Sequence, residues 1–421
     1  MEYHNKINDT YLALVRHSVL QPVFKIELLD DNEQAYKEII THISVDSSGS
    51  ISATYQQGVQ KTISLTLVDP EGHFLPNPNN EYFWIGRKFK VYLGLAREST
   101  IQNMDTTDVL NTFSIESQTS LDHSSEIDYY WFSKGVYILT SIDASRSNGG
   151  ETVSISGVDK FGRFTSDTGF CEMIANFVIP KGMLLSEAIQ TILNQDDGRG
   201  KPIDPIAPFI DPYYADTRIP LEVSKGAGSY MGDIMIELAS MYKADIFYDN
   251  DGRFVFRRAM LGDENMQLPI VWEFDDGAAE YINSSLSYDF TSAINTIYVV
   301  GDNPNTAVAP EAFLQNTNPQ SPLTVDKIGA KSKLLNVSTI QTKQEAEDYA
   351  EYMLNQLSRV QQSVPLTCTF IPHLDVNTLF TLTDSFYKME KEPFFIQSIT
   401  YPIGLGTMSL QSIDLKELPT Y

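Results

Sequence analysis

A chain of 421 residues exceeds the roughly 250–300 residues at which a single apolar core usually stops growing, so two or three domains are expected. Its 55 acidic side chains against 30 basic ones leave a formal net charge of -25, which argues against binding nucleic-acid backbones, because that affinity comes from cations neutralising phosphates. Cys171 and Cys368 lie far apart in apolar surroundings and read as buried thiols, while no apolar run approaches the ~18 residues of a membrane span.

Residues 1–10 are polar, without the basic-then-apolar order of a secretory signal, so folding in a cytoplasm is expected. Tyr11, Leu12, Leu14 and Val15 predict a short opening helix or arm. Strand patterns follow over 23–29, 39–45, 50–55, 61–68 and 88–95, at the spacing of an all-β sheet or barrel. Within 61–68 the alternation is nearly strict, which predicts one buried and one wet face before Asp69-Pro70-Glu71-Gly72 stops the strand. Residues 97–128 lose periodicity among Ser, Thr, Asp and Asn and read as a long insertion and a candidate contact surface. Strands resume over 135–142 and 153–158, joined across Asn148-Gly149-Gly150. Asp159 to Arg163 closes a first domain, 1–165.

A mixed middle domain, 166–285, opens on Leu184, Leu185, Ala188, Ile189, Ile192 and Leu193, an amphipathic helix ending near Gly198. Prolines and glycines make 199–228 an irregular connection. A helix over 231–242 precedes a hairpin, 244–248 with 253–258, around Asp249-Asn250-Asp251-Gly252. Strands are predicted over 270–274, 286–290 and 293–301, then a Pro/Asn-rich excursion over 302–333. The third domain, 286–421, carries a helix over 344–359, whose Ala346, Tyr349, Ala350, Met353, Leu354 and Leu357 form one buried face. Strands over 364–370, 378–382, 394–400 and 408–415 follow it.

Candidate chemistry is sparse. Aligning Gly252 with the invariant glycine of a calcium loop puts Phe247 and Arg258 where oxygen ligands are required, so an Asp-Gly hairpin turn is the better reading. His4, His17, His42, His73, His123 and His373 include no helical i, i+4 pair and no neighbouring cysteine, so no zinc cage is recognised. No Gly-x-Ser-x-Gly elbow or phosphate-cradling loop is present. Glu71, Asp122, Glu126 and Asp128 sit in loops where paired carboxylates could serve a glycosidase, though among 55 acidic residues such pairs arise by chance. Tyr82-Phe83-Trp84 and Tyr129-Tyr130-Trp131-Phe132 suit either sugar stacking or the plugging of a barrel end or subunit interface. No catalytic, cofactor or metal residue is assigned.

Several stretches together resemble the bacteriophage tail baseplate hub family, the tube-like hub proteins of phage tails and contractile injection machines. The first block contributes Lys61 to Asp69, Gly135-Val136-Tyr137-Ile138-Leu139-Thr140 and Val153 to Lys160. The middle contributes Glu237-Leu238-Ala239 and Ile246 to Phe256. The last block contributes Tyr288-Asp289-Phe290, Asn295 to Gly301, Ala346-Glu347-Asp348-Tyr349-Ala350, Ile371 to Asn377 and Ile396-Gln397-Ser398-Ile399. Most of the chain is covered, but 97–128 lies outside the common core.

The resemblance implies an α+β, mainly β fold with two tail-tube-like antiparallel β-barrels flanking a mixed α/β middle. It implies a non-enzymatic homotrimer around the tail channel, adapting a sixfold tube to a threefold spike or tip. The implied neighbours are a tail tube or distal tail protein, a central spike or tip protein, and a baseplate wedge or tape-measure protein. DNA passes without specific binding, and the location is the virion. The acidity then either lines the lumen or only confers solubility. A tail-associated cell-wall or polysaccharide hydrolase and a carbohydrate-binding receptor module are the alternatives.

Overall fold

The computed structural model describes residues 7–17, 20–42, 47–69, 71–76, 82–98, 127–147, 150–168, 172–259, 269–289, 291, 293–302, 308–338, 340–358, 361–404 and 406–414. The protein is mainly β.

Helix α1 (Asp9–Val15) starts where Asn8 accepts the Tyr11 amide at 2.9 Å, and it buries Tyr11 and Val15. Seven strands follow: β1 (Pro22–Leu29), β2 (Ala35–His42), β3 (Ser47–Thr54), β4 (Lys61–Val68), β5 (Lys88–Glu98), β6 (Ile127–Ser147) and β7 (Gly150–Asp159). They pair antiparallel in the order β2-β1-β5-β6-β7-β4-β3. In β4, Lys61, Ile63, Leu65 and Leu67 are buried while Thr62, Ser64 and Val68 face water, as strict alternation requires. β5 and β6 stay paired out to Glu98 opposite Ile127, so the two ends of the predicted 97–128 insertion belong to a hairpin; its interior lies outside the described residues.

The middle contains β8 (Phe177–Ile179), α2 (Leu185–Leu193), β9 (Phe209–Ile210), β10 (Val223–Lys225), α3 (Met231–Met241), β11 (Ala244–Tyr248) and β12 (Phe254–Arg258). Ile189, Ile192, Ile234, Leu238, Phe254 and Phe256 share a core of its own. The predicted irregular stretch 199–228 holds β9 and β10. Two or three residues are too few for a periodic signal, so only their partners β12 and β8 define them.

Eleven further strands follow among the described residues. β13 (Ile270–Asp275), β14 (Tyr281–Ser284), β15 (Ser287–Asp289), β16 (Thr296–Gly301) and β17 (Glu311–Gln315) precede the short helix α4 (Val325–Ile328). β18 (Ser332–Val337) leads to α5 (Lys343–Leu357), followed by β19 (Gln361–Ser363), β20 (Leu366–Cys368), β21 (Leu379–Asp384), β22 (Met389–Ile403) and β23 (Met408–Asp414). The Pro/Asn-rich 302–333 therefore contains β17 and α4. The strand predicted over 364–370 is interrupted between β19 and β20, where Pro365 has no amide to give to a ladder. α5 opens on a reciprocal cap in which Thr342 accepts the Glu345 amide and Glu345 accepts the Thr342 amide. It buries Ala346, Ala350 and Leu354 on Ile297, Val299 and Ala312.

The two strand-rich blocks meet in one sheet. Ser398 to Ile403 of β22 pair antiparallel with Thr54 to Gly49 of β3, which joins β14-β20-β23-β22 to the first block as one strand path. A single apolar core runs across this seam, from Phe24, Leu65 and Phe89 to Phe380, Ile399 and Leu410.

Candidate functional site

A cluster of buried charge lies where all three parts of the chain meet. Its first contributor is a fault in a strand. Val91 faces Gly135 and Tyr92 faces Ser133, which leaves Lys134 as the extra residue of a β-bulge with Gly135 at φ +122°. The bulge turns Lys134 inward, where Nζ donates to the Leu374 carbonyl at 2.8 Å and to Tyr401 Oη at 3.0 Å. Burial pushes the Lys134 ammonium down to about 8. Strand β6 is thereby tied to the loop before β21 and to β22.

The ends of β4 and β7 supply the next layer. Asp159 caps the short helical turn after β7 and accepts the amides of Gln60 at 2.7 Å, Lys61 at 2.9 Å and Phe161 at 3.0 Å. Burial raises its carboxyl to about 6, against the pull of those amides. Lys61 donates to Asn250, and Asn250 in turn donates to Asp375. Next to it, Lys160 Nζ lies 2.7 Å from Glu33, 2.8 Å from Asp204 and 2.7 Å from the Gly252 carbonyl, while Lys88 lies 2.5 Å from Glu33. Tyr248 Oη donates to Asp204 at 2.6 Å. The β1–β2 turn, the first strand block and the middle hairpin are held by one buried ionic network.

A cavity of about 480 Å³ opens beside it, with Lys61, Asn250, Arg253, His373, Asp375 and Val376 in its wall. His373 Nδ1 is 2.7 Å from Tyr11 Oη, and burial pushes the imidazole down to about 4. The neutral ring accepts the tyrosine proton at Nδ1 and turns Nε2–H toward the Val271 carbonyl at 3.4 Å.

The Asp249 to Gly252 turn, the calcium-loop look-alike, has its side-chain oxygens taken up by its own backbone and by Lys61, Lys90 and Arg253. Asp249 Oδ1 accepts the amides of Asp251 at 3.0 Å and Arg253 at 2.8 Å. Gly252 sits at φ +80°, and a Cβ there would lie 2.6 Å from Val136 Cγ2. Gly252→Ala is expected to destabilise the fold by about 1–3 kcal/mol, read from the urea midpoint, because the left-handed backbone and the contact with β6 both oppose a methyl group.

The other sequence candidates scatter. Glu71 is exposed beside His73 at 2.7 Å, and Asp128 is exposed in β6 opposite Arg97; Asp122 and Glu126 lie outside the described residues. His17 is exposed, His42 lies in β2, and His4 and His123 lie outside the described residues. Cys368 is buried and its thiol is pushed up by burial, while Cys171 lies outside the described residues. Among the described residues no group of three His, Cys, Asp or Glu side chains gathers to hold a metal ion. Strand alternation divides the aromatic run of β6: Tyr129 stacks on Trp131 at 5.6 Å, while Tyr130 and Phe132 turn toward Tyr11 at 5.6 and 5.1 Å. Phe83 is buried against Phe89, and Tyr82 packs on Phe74. The sequence reading missed Glu33, Lys88, Lys134, Lys160 and Asp204. Only Lys134-Gly135 carried a signal, a glycine inside a strand pattern.

No known protein family matches the sequence, and no curated protein sequence matches it. Among solved structures the chain is similar to the 43 kDa tail protein of prophage MuSo2 from Shewanella oneidensis, at TM-score 0.57 and 12% identity over 93% of this chain and 98% of that one. The fold is that of phage tail proteins. The tail protein of Neisseria meningitidis MC58 gives TM-score 0.57 and 10% identity, covering 95% of this chain and 98% of that one. Prophage tail protein gp18 of Listeria monocytogenes EGD-e gives 0.51 and 10%, covering 94% and 95%. A chain of the Francisella PdpA–VgrG complex also shares the tail-protein fold at 0.54 and 9%, with 96% of this chain matched to 54% of that one. Within that fold the ionic junction ties the strand blocks and the middle part together.

Proposed function

We propose that this chain is a non-enzymatic structural tail protein, the baseplate hub, three copies of which form a ring around the tail channel. The observation that carries the reading is the end-to-end match to a phage tail protein, 93% of this chain against 98% of that one. In this reading the chain divides into 1–165, 166–285 and 286–421, and the strand blocks at its two ends act as two tube-like barrels. A trimer then presents six barrel units to a sixfold tube and three chains to a spike or tip.

Two features support it. Pairing of β22 with β3 sets both blocks side by side in one chain, as a pseudo-sixfold ring requires. Strands β2 and β14 end the main strand path, and such edges need a cover, which a neighbouring subunit supplies. The partners are a tail tube or distal tail protein, a spike or tip protein, and a wedge or tape-measure protein. The location is the virion, after assembly in the host cytoplasm. The net charge of -25 lets DNA pass without adhering if it lines the channel.

Light scattering on the purified chain, alone and with its tube neighbour, tests the assembly; a trimer mass is expected, and a monomer under both conditions contradicts it. Zymography on peptidoglycan is expected to show no clearing, whereas clearing lost on carboxylate mutation supports the hydrolase instead.

A further inference from the structure

Among the described residues, the small sheet β17-β16-β18 ends at β17, and that edge lies beside a groove. The Gly301 amide donates to the Pro310 carbonyl at 2.8 Å, and the Asn316 amide donates to the Asn295 carbonyl at 2.9 Å. These two bonds set the phase of the antiparallel ladder between β16 and β17. Ala312 and Leu314 therefore spend their backbone groups on β16, whereas Glu311, Phe313 and Gln315 turn theirs outward. Among the described residues β17 pairs with no strand other than β16.

Helix α5 lies over the same side. Lys343, Glu347, Asp348 and Glu351 recur at the three- and four-residue spacing of one helix face, and they wall a groove of about 450 Å³ whose other wall is β17, with Glu311 and Phe313. Lys343 is already paired with Glu347 at 3.3 Å. Phe313 is 57% exposed beside Tyr298, which donates to Glu311. The groove thus combines outward amides and carbonyls, an exposed aromatic ring and an excess of carboxylates.

We propose that this groove captures an extended, lysine- or arginine-bearing segment of a partner protein, which adds to β17 as an extra strand between the sheet edge and α5. Main-chain hydrogen bonds to Glu311, Phe313 and Gln315 hold the segment, Phe313 packs on its apolar positions, and Glu347, Asp348 and Glu351 pair with its cations. The edge dictates an extended backbone and the carboxylates dictate the charge. The inference stands on the groove alone and does not depend on the hub reading.

The test uses fluorescence anisotropy with the full chain and a labelled heptapeptide of alternating lysine and valine. Binding is expected, and it weakens at least about tenfold for a glutamate–valine peptide, for the same lysine peptide with a central proline, and for the Glu347→Lys/Glu351→Lys protein. Phe313→Pro removes the central outward amide at a position where an edge strand tolerates proline, and the same loss is expected. Should that variant fail to fold by circular dichroism, the proline-bearing peptide and hydrogen exchange at residues 311–315 decide the question. No binding up to millimolar peptide, equal binding of the two charge types, or indifference to proline in the peptide overturns the proposal.

Discussion

Replacing Glu33 with glutamine is expected to cost about 3–5 kcal/mol in urea-induced unfolding, the largest single-residue effect outside the apolar core. Its carboxylate is 4% exposed and lies between Lys88 and Lys160, whose side chains are 7% and 3% exposed. Lys160 keeps Asp204 after the change, but Lys88 loses its partner. Burial already holds the Lys88 ammonium below the ordinary lysine range, with the Glu33 charge opposing that shift. Removing both charges together, as Glu33→Leu with Lys88→Met, is expected to recover more than half of the loss, because the cost comes from stranding a charge rather than from losing the pair. A Glu33→Gln loss below about 1 kcal/mol would place this network with surface ion pairs instead.

The second large effect is acid sensitivity at His373. In the unfolded chain its imidazole takes a proton near its ordinary 6.5, whereas in the folded protein burial, and then the Lys134 charge, push it down to about 4. The folded state therefore prefers the neutral ring. The stability this confers is complete above 6.5 and lost as pH falls toward 4, with a magnitude of about 3 kcal/mol. Asp159 acts in the opposite sense, since its carboxyl is raised from 3.8 to about 6, so its contribution is present below 3.8 and lost as pH rises through 6. The two contributions offset each other in the native chain, and the difference between variants is what reveals them. Tyr11→Phe/His373→Phe removes the titrating ring together with the hydroxyl that would lose its acceptor. Relative to the native chain, this variant is expected to lose its stability deficit steadily from pH 6.5 to 4. A parallel pH dependence in the two proteins would show that His373 does not titrate across that window.

Much of the fold was legible because long elements carry their own period. β4 shows it in alternation and α5 in its alanine and leucine face. What stayed hidden depends on partners rather than on local pattern. β9 spans two residues and exists by pairing with β12, and β17 lies in a segment whose prolines and asparagines mask five strand residues. Tyr129 to Phe132 reads in sequence as an aromatic cluster rather than as part of β6, because inward and outward aromatics look alike there. Within the ionic junction, Glu33 and Asp204 are separated by most of the first block and part of the middle, so no spacing rule brings them together. The Lys134 bulge is the exception, marked by the glycine that follows it.

Electron cryomicroscopy of the assembled protein tests the central claim most directly. A threefold ring of three chains is expected, with six strand-rich blocks around a channel and the β2 and β14 edges covered by neighbouring subunits. Single-chain particles without rotational symmetry, or a ring in which the two strand blocks share no common axis, would contradict it.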